Sequence, residues 1–346
     1  MLSILLFASC MSYKGCEYAM PDFPRTNNIS VKVLSEELLC NMVCDIFECD
    51  NRLYVVHYDK TAQTWCNVYD KQKGGRLFSC LHAGNGPKEI IANPICSSYQ
   101  DSLFFFDMFA DKVLSFSKKE NCISSEAIKE DSRMLRPYTR NISVLEKGED
   151  IIVLNQIGYN SSDTVGYHRI QYYDNCGNEK CFQDFAPYPD SRTMFGMYTQ
   201  SLMAVSPDCK KLVIGSVWGA ILEFYSVPDL EGRKVLWLVD PAIDFREGTS
   251  LTKDTKAGLR DLCADNDNVY ASIGADVNIL SNNEKGIEEM ELKCNDLYVF
   301  DWEGNPVRHI VTDYNIEKFC LTQSSDTLYT VVSNKEGALY LGMVVL

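Results

Sequence analysis

Fifteen cysteines, four histidines and forty-eight carboxylates carry most of the potential for chemistry in this chain of 346 residues. Thiolates and imidazoles at close, regular spacing would hold a metal. Cys40, Cys44 and Cys49 are close together, but no histidine follows at zinc-finger spacing, and His57, His82, His168 and His309 are scattered. No metal site is therefore expected, and most cysteines read as small buried hydrophobes. An exported chain could still pair some, for example Cys176 with Cys181 across a turn. A nucleophile elbow of the Gly-x-Ser-x-Gly type is absent. Gly84 and Gly86 lack the Lys-Ser/Thr pair of a phosphate loop. No catalytic residue is assigned. The formal net charge of −15 sets the surface against a phosphate backbone and excludes nucleic acid as an expected partner.

The elements that must position any site form a repeat. A polar turn followed by an apolar strand start recurs at Asn51-Arg52-Leu53, Asp101-Ser102-Leu103, Glu149-Asp150-Ile151, Lys210-Lys211-Leu212, Asp267-Asn268-Val269 and Asp326-Thr327-Leu328. Over the 275 residues from Leu53 to Leu328 the five intervals average 55, which suits propeller blades with some long loops. Between the anchors, strands end in an aromatic and a polar turn, as at Tyr69-Asp70, Tyr173-Asp174 and Phe300-Asp301. Glycines then follow, at Gly74, Gly177 and Gly304, as turn chemistry requires. Each unit reads as four antiparallel strands. Sustained apolar spacing of three and four, the mark of long helices, is missing. The sixth unit stops one strand short, and Ile29 to Leu34 alternates like an orphan strand. The expected fold is all-β: a six-bladed propeller over residues 28–346, with the N-terminal strand closing the last blade. Closure removes exposed strand edges and unpacked blade faces.

Met1 to Ser9 is an uncharged apolar run, and Cys10 follows Ala8 and Ser9 directly. This resembles the end of a lipoprotein signal peptide, in which the cysteine is lipidated and becomes the mature N-terminus. Residues 1–27 are accordingly read as signal and polar tether. The expected place is the cell envelope, on its periplasmic or outer surface, with membrane contact by the lipid anchor at Cys10 alone.

Gly84-Asn85-Gly86-Pro87-Lys88-Glu89 follows the first unit. It is similar to the Gly-x-Gly-Pro-x-Glu signature of the TolB-like six-bladed β-propeller lipoproteins, abundant in Bacteroidales. With the six units and Cys10, the resemblance covers essentially residues 28–346. It implies an exported propeller and supplies no catalytic residues.

In a propeller, the blade-to-blade connectors and the loops between the second and third strands share one face, where the channel opens. The connectors carry Arg136, Tyr138, Tyr188, Arg192, Phe195 and Arg260, and the within-blade loops add Tyr159 and Trp218. Arginine forks carboxylates and aromatic rings stack on apolar faces, so these eight form the expected ligand-binding set. The expected role is a binding or scaffolding module, monomeric, for a carbohydrate, peptide or envelope protein, without a cofactor. The alternative is a hydrolase or lactonase with calcium in the central channel, for which Asp45, Asn155 and Asp261 are candidate groups.

Overall fold

The computed structural model describes residues 18–40, 42–110, 112–118, 129–131, 139–145, 150–155, 168–174, 176–183, 201–217, 219–240, 256, 258–274, 281–283, 286–288, 294–322 and 324–346. The described residues form strands and turns. Two short strands come first, β1 (Thr26–Ile29) and β2 (Lys32–Val33). Blade one is β3 (Asp45–Cys49), β4 (Arg52–Asp59), β5 (Thr64–Asp70) and β6 (Arg76–His82). Blade two is β7 (Ile95–Tyr99), β8 (Ser102–Asp107), β9 (Lys112–Ser117) and β10 (Lys129–Asp131). Blade three is β11 (Thr139–Val144), β12 (Ile151–Asn155), β13 (Ile170–Tyr173) and β14 (Glu179–Gln183). Blade four is β15 (Ser201–Val205), β16 (Lys211–Ser216), β17 (Ile221–Ser226) and β18 (Gly232–Trp237). Blade five uses β19 (Leu259–Ala264) and β20 (Asn268–Ile273), and then, past a small hairpin of β21 (Ser281–Asn283) and β22 (Gly286–Glu288), β23 (Asp296–Asp301) and β24 (Pro306–Thr312). Blade six has β25 (Asn315–Leu321), β26 (Thr327–Ser333) and β27 (Leu339–Val345).

The repeat dictates the core. All six anchors, Leu53, Leu103, Ile151, Leu212, Val269 and Leu328, are buried. The second strand of each blade is covered on both faces, so it reads as a continuous apolar run rather than an alternating one. Along β4, Tyr54 and Val56 face Phe105 and Leu114 of blade two. The intervening Leu53 and Val55 face Val331 and Leu341 of blade six. Equivalent clusters lie between blades two and three, three and four, four and five, and five and six. Six interfaces for six blades mean that the ring is closed.

Asx turns end the third strands of blades one, three and five. Asp70 Oδ1 accepts from the amides of Gln72 and Lys73 at 2.9 and 2.8 Å, and Asp301 Oδ1 from that of Asn305 at 2.7 Å. Gly74 completes the first such turn at φ +67°, and a Cβ there would stand 2.0 Å from the Leu34 carbonyl oxygen. Only glycine fits.

Closure differs in one detail from the expected strand over Ile29 to Leu34. The segment divides. β2 completes blade six, pairing antiparallel with β27 at Lys32–Met343 and Val33–Gly342, and the Leu34 amide extends the ladder to Leu341 O at 2.8 Å. Ile29 instead belongs to β1, a fifth strand that adds in parallel to β24 of blade five. The Val31 amide donates to Asp313 Oδ1 at 2.8 Å and fixes the crossover. Upstream, residues read as tether already touch the propeller. The Ala19 amide bonds Trp237 O at 3.0 Å, and Phe23 packs against Tyr298 and Phe300. Cys10 lies outside the described residues. No helix among the described residues is long and apolar enough to cross a membrane.

Candidate channel site

The inner strands β3, β7, β11, β15, β19 and β25 surround a central cavity of about 1510 Å³. The cavity opens on the face formed by the blade-to-blade connectors and the loops between second and third strands, since Ile91 to Pro94, Met108, Phe109 and Asn334 to Gly337 also line it.

The wall is charged on one side. Counting from the residue opposite each buried anchor (Glu48 opposite Leu53, Ala264 opposite Val269, Leu321 opposite Leu328), the third residue upstream is Asp45, Asp261 and Lys318 respectively. Blades one, five and six thus place a carboxylate, a carboxylate and an ammonium at one level. The same count in blades two and four reaches Ile95 and Leu202. Bulges at Leu259/Asp261 and Ile316/Lys318 re-aim side chains out of the ladder, a frequent device beside functional sites. The two residues left out of register, Arg260 and Glu317, pair with each other.

Lys318 Nζ donates to Asp261 Oδ1 at 2.8 Å, and Asp261 Oδ2 accepts from the Phe319 amide at 2.8 Å. Burial by itself would lower the Lys318 pKa, but Asp261, Asp45 and the hydrogen bond to Asp261 together raise it above the usual lysine value. Among the described residues, Asp45 keeps only the adjacent Ile46 amide on Oδ1, at 2.8 Å. Burial among the blades pushes its carboxyl up to about 7; Asp261 adds to the shift, and Lys318 opposes it. Asp45 still touches channel solvent. The neighbouring thiols report the same field. Cys44 is pushed up to about 12 by burial and then by Asp45. Cys96, Cys263 and Cys320 are raised by burial and further by nearby carboxylates. The twelve described cysteines, Cys176 and Cys181 among them, form no disulfide with one another.

The rim is apolar. Met42, Tyr58, Ile91, Met108 and Phe109 line the mouth and are exposed, Phe109 at 72%. Their positions are enforced by the Gly-x-Gly-Pro-x-Glu segment and its neighbours. Glu89 folds back over its own loop, and its Oε2 accepts from the Gly86 amide at 2.8 Å. A Cβ on Gly84 would stand 2.1 Å from that oxygen, so the glycines make room for the carboxylate. Lys112 Nζ donates to the Gly86 carbonyl at 2.6 Å. Trp65 Nε1 donates to Ile90 O at 3.1 Å. The buried Asp107 then joins two loops: Oδ2 accepts from the Ile91 amide at 2.7 Å, and Oδ1 from those of Phe109 and Ala110 at 3.0 and 3.1 Å. The motif is therefore a scaffold for the rim.

Of the expected ligand-binding set, Arg260 lies on the channel wall, committed to Glu317. Arg136, Tyr138, Tyr159, Tyr188, Arg192, Phe195 and Trp218 lie outside the described residues. Of the three groups considered for calcium, Asp45 and Asp261 share the channel with Lys318. Asn155 sits in the blade-three sheet, donating to His168 O and Gln171 Oε1 at 2.8 and 2.7 Å. Among the described residues no group of three His, Cys, Asp or Glu is placed to hold a metal ion. Lys318 and the exposed rim escaped the sequence reading. A usable signal was present: Cys44-Asp45, Arg260-Asp261 and Glu317-Lys318 interrupt innermost strands with charge at matching places.

With this geometry, the family model for TolB-like six-bladed propellers matches residues 22–324. The chain belongs to that family. A search of curated proteins finds no match. Among solved structures the chain is similar to a Bacteroides fragilis protein named as exported, at 11% identity and TM-score 0.53, covering 93% of this chain and 98% of the other. It is also similar to U3-55K, at 10% identity and TM-score 0.53, covering 92% and 98%. The WD40 repeats of RRP9 follow at 8% identity and TM-score 0.51, covering 92% and 97%. Identities this low establish a shared propeller fold, and nothing of shared ligand.

Proposed function

We propose that this TolB-like propeller is a binding module of the cell envelope, monomeric and lipid-anchored through Cys10, that holds a peptide or protein segment at the channel mouth. The observation that carries the reading is the cavity of about 1510 Å³ opening among exposed apolar side chains. Large pockets with apolar walls and a few convergent polar groups are the usual form of a binding site. Exposed Met, Ile and Phe suit a polypeptide better than a carbohydrate, which would ask for more polar partners around its rings. The exported Bacteroides protein of the same fold supports the envelope placement, and the apolar run ending at Cys10 supports the anchor.

Two experiments test this. A photo-crosslinking residue at Phe109 should capture an envelope polypeptide in living cells, whereas one at the exposed outer-strand Leu77 should not. Equal capture at both positions removes the channel mouth from consideration. Palmitate labelling of the whole chain should vanish in Cys10→Ala; persistent labelling removes the anchor.

A further inference from the structure

The two faces of the channel wall ask for different things of a ligand. Blades two and four present apolar residues at the level where blades one, five and six present Asp45, Asp261 and Lys318. Within that trio the demands are unequal. Lys318 and Asp261 satisfy each other, and Asp261 has a further amide donor. Arg260 and Glu317, one residue above, also pair off, and Glu317 accepts from Ser333 Oγ at 2.7 Å. Among the described residues Asp45 is left with its neighbour's amide alone. The two inner-strand cations beside Asp45, Arg260 and Lys318, are already held, and the third cation of the lining, Lys335, stands exposed on the blade-six loop at the mouth, so the group with capacity to spare within the wall is a carboxylate. The surroundings reinforce the sign, since the chain carries −15 overall, and charge confined to low-dielectric walls focuses the field within a cleft.

We infer that Asp45 receives the cationic end of the ligand, a primary ammonium or guanidinium group, whose apolar body lies against the rim of Tyr58, Ile91, Met108 and Phe109. The inference rests on the channel-mouth reading and names the chemistry that would be recognised there. Entry of a cation converts an ionised carboxylate that is costly to bury into a charge-assisted hydrogen-bonded pair. Selection against an anionic analogue follows, because an anion would meet Asp45 with both nearby cations occupied.

The pH dependence has a definite direction. The titratable and charged groups facing Asp45 are Lys318, Asp261, Cys44, Cys96, Cys263 and Cys320. Lys318 and all four thiols are pushed up, so a gain of affinity across neutral pH reports ionisation of Asp45.

The test uses the whole folded chain and three probes of one shape: phenethylammonium, 2-phenylethanol and phenylacetate, followed by saturation-transfer NMR and titration at low salt. Phenethylammonium should bind at least roughly tenfold more tightly than phenylacetate at pH 8, and its affinity should fall as pH is lowered through about 7. Asp45→Asn, with its fold checked by circular dichroism, should erase the preference. A charge preference that survives in Asp45→Asn, equal binding of the anion, or binding of no probe at all overturns the inference. Capture at Phe109 in the crosslinking experiment is read separately. If it persists while the ammonium preference is missing, the binding module stands and the cation site at Asp45 falls.

Discussion

Two buried cation–carboxylate pairs in this molecule look alike in distance and differ in setting. Arg169, just before β13, grips Glu223 of β17 bidentately at 2.8 and 2.7 Å, with both side chains at 0–1% exposure between blades three and four. Tyr225 donates its hydroxyl to the same carboxylate at 2.7 Å. Lys318 and Asp261 meet at 2.8 Å on the channel wall, at 17% and 9% exposure, beside the under-bonded Asp45. The first arrangement closes on itself and has no room for a newcomer. The second has one carboxylate too many and a water-accessible cavity in front of it. The contrast separates a clamp between blades from a site.

The comparison can be broken most forcefully at the clamp. Glu223→Gln leaves a guanidinium uncompensated in a dry interface and should cost about 3–5 kcal/mol in denaturant unfolding. Replacing both partners, as in Arg169→Met with Glu223→Leu, should recover most of that loss, because paired desolvation is then avoided. A smaller loss, about 2 kcal/mol, is expected for Asp107→Ala, which strands the Ile91, Phe109 and Ala110 amides. The same variant should free the rim, so crosslinking at Phe109 should weaken with it.

At Asp45 the sign reverses. Its folded pKa, about 7, is above the unfolded value of about 3.9. Between these values the folded chain holds a proton that the unfolded chain has released, so stability falls as pH rises from about 4 to 7. Asp45→Asn should therefore stabilise the protein by about 2 kcal/mol at pH 8, a figure reduced for channel solvent, and have no such effect at pH 4. Thermal melts at the two pH values check this. A residue that lowers stability where it is ionised is the mark of a group kept for binding. The smallest effect belongs to Arg260→Ala. Its pair with Glu317 is 35% and 17% exposed, so no more than about 1 kcal/mol should be lost.

The fold was legible because propeller blades bury their second strands on both faces. That requirement writes contiguous apolar runs after polar turns, and Leu53, Leu103 and Val269 are as buried as their pattern demanded. Closure was legible in outline, yet the break at Ser30-Val31 was not, since it depends on Asp313 reaching Val31 from 282 residues away. The wall was harder to read. Asp45 and Asp261 were visible as carboxylates on inner strands. Their alignment with Lys318 is an unbroken count of three from each anchor's partner, visible only once the strands are paired; the bulges just upstream, which set Arg260 against Glu317, are not encoded by side-chain type. Arg260 was singled out for its charge, which the bulged Glu317 consumes. The rim was missed because exposed Met108 and Phe109 look in sequence like the end of the apolar run at Phe104 to Phe106.

The join between head and tail carries a consequence for biogenesis. Residues 26–33 are synthesised long before their partners, which end at Thr312 and Met343. At ordinary elongation speeds of about 5–20 residues per second, the 282 positions from Val31 to Asp313, which fixes the crossover, take roughly fifteen seconds to a minute to appear. Throughout that interval the opening segment has nothing to pair with. The ring consequently cannot close until β24 and β27 have been made, so the seam in blades five and six is the last join of the fold.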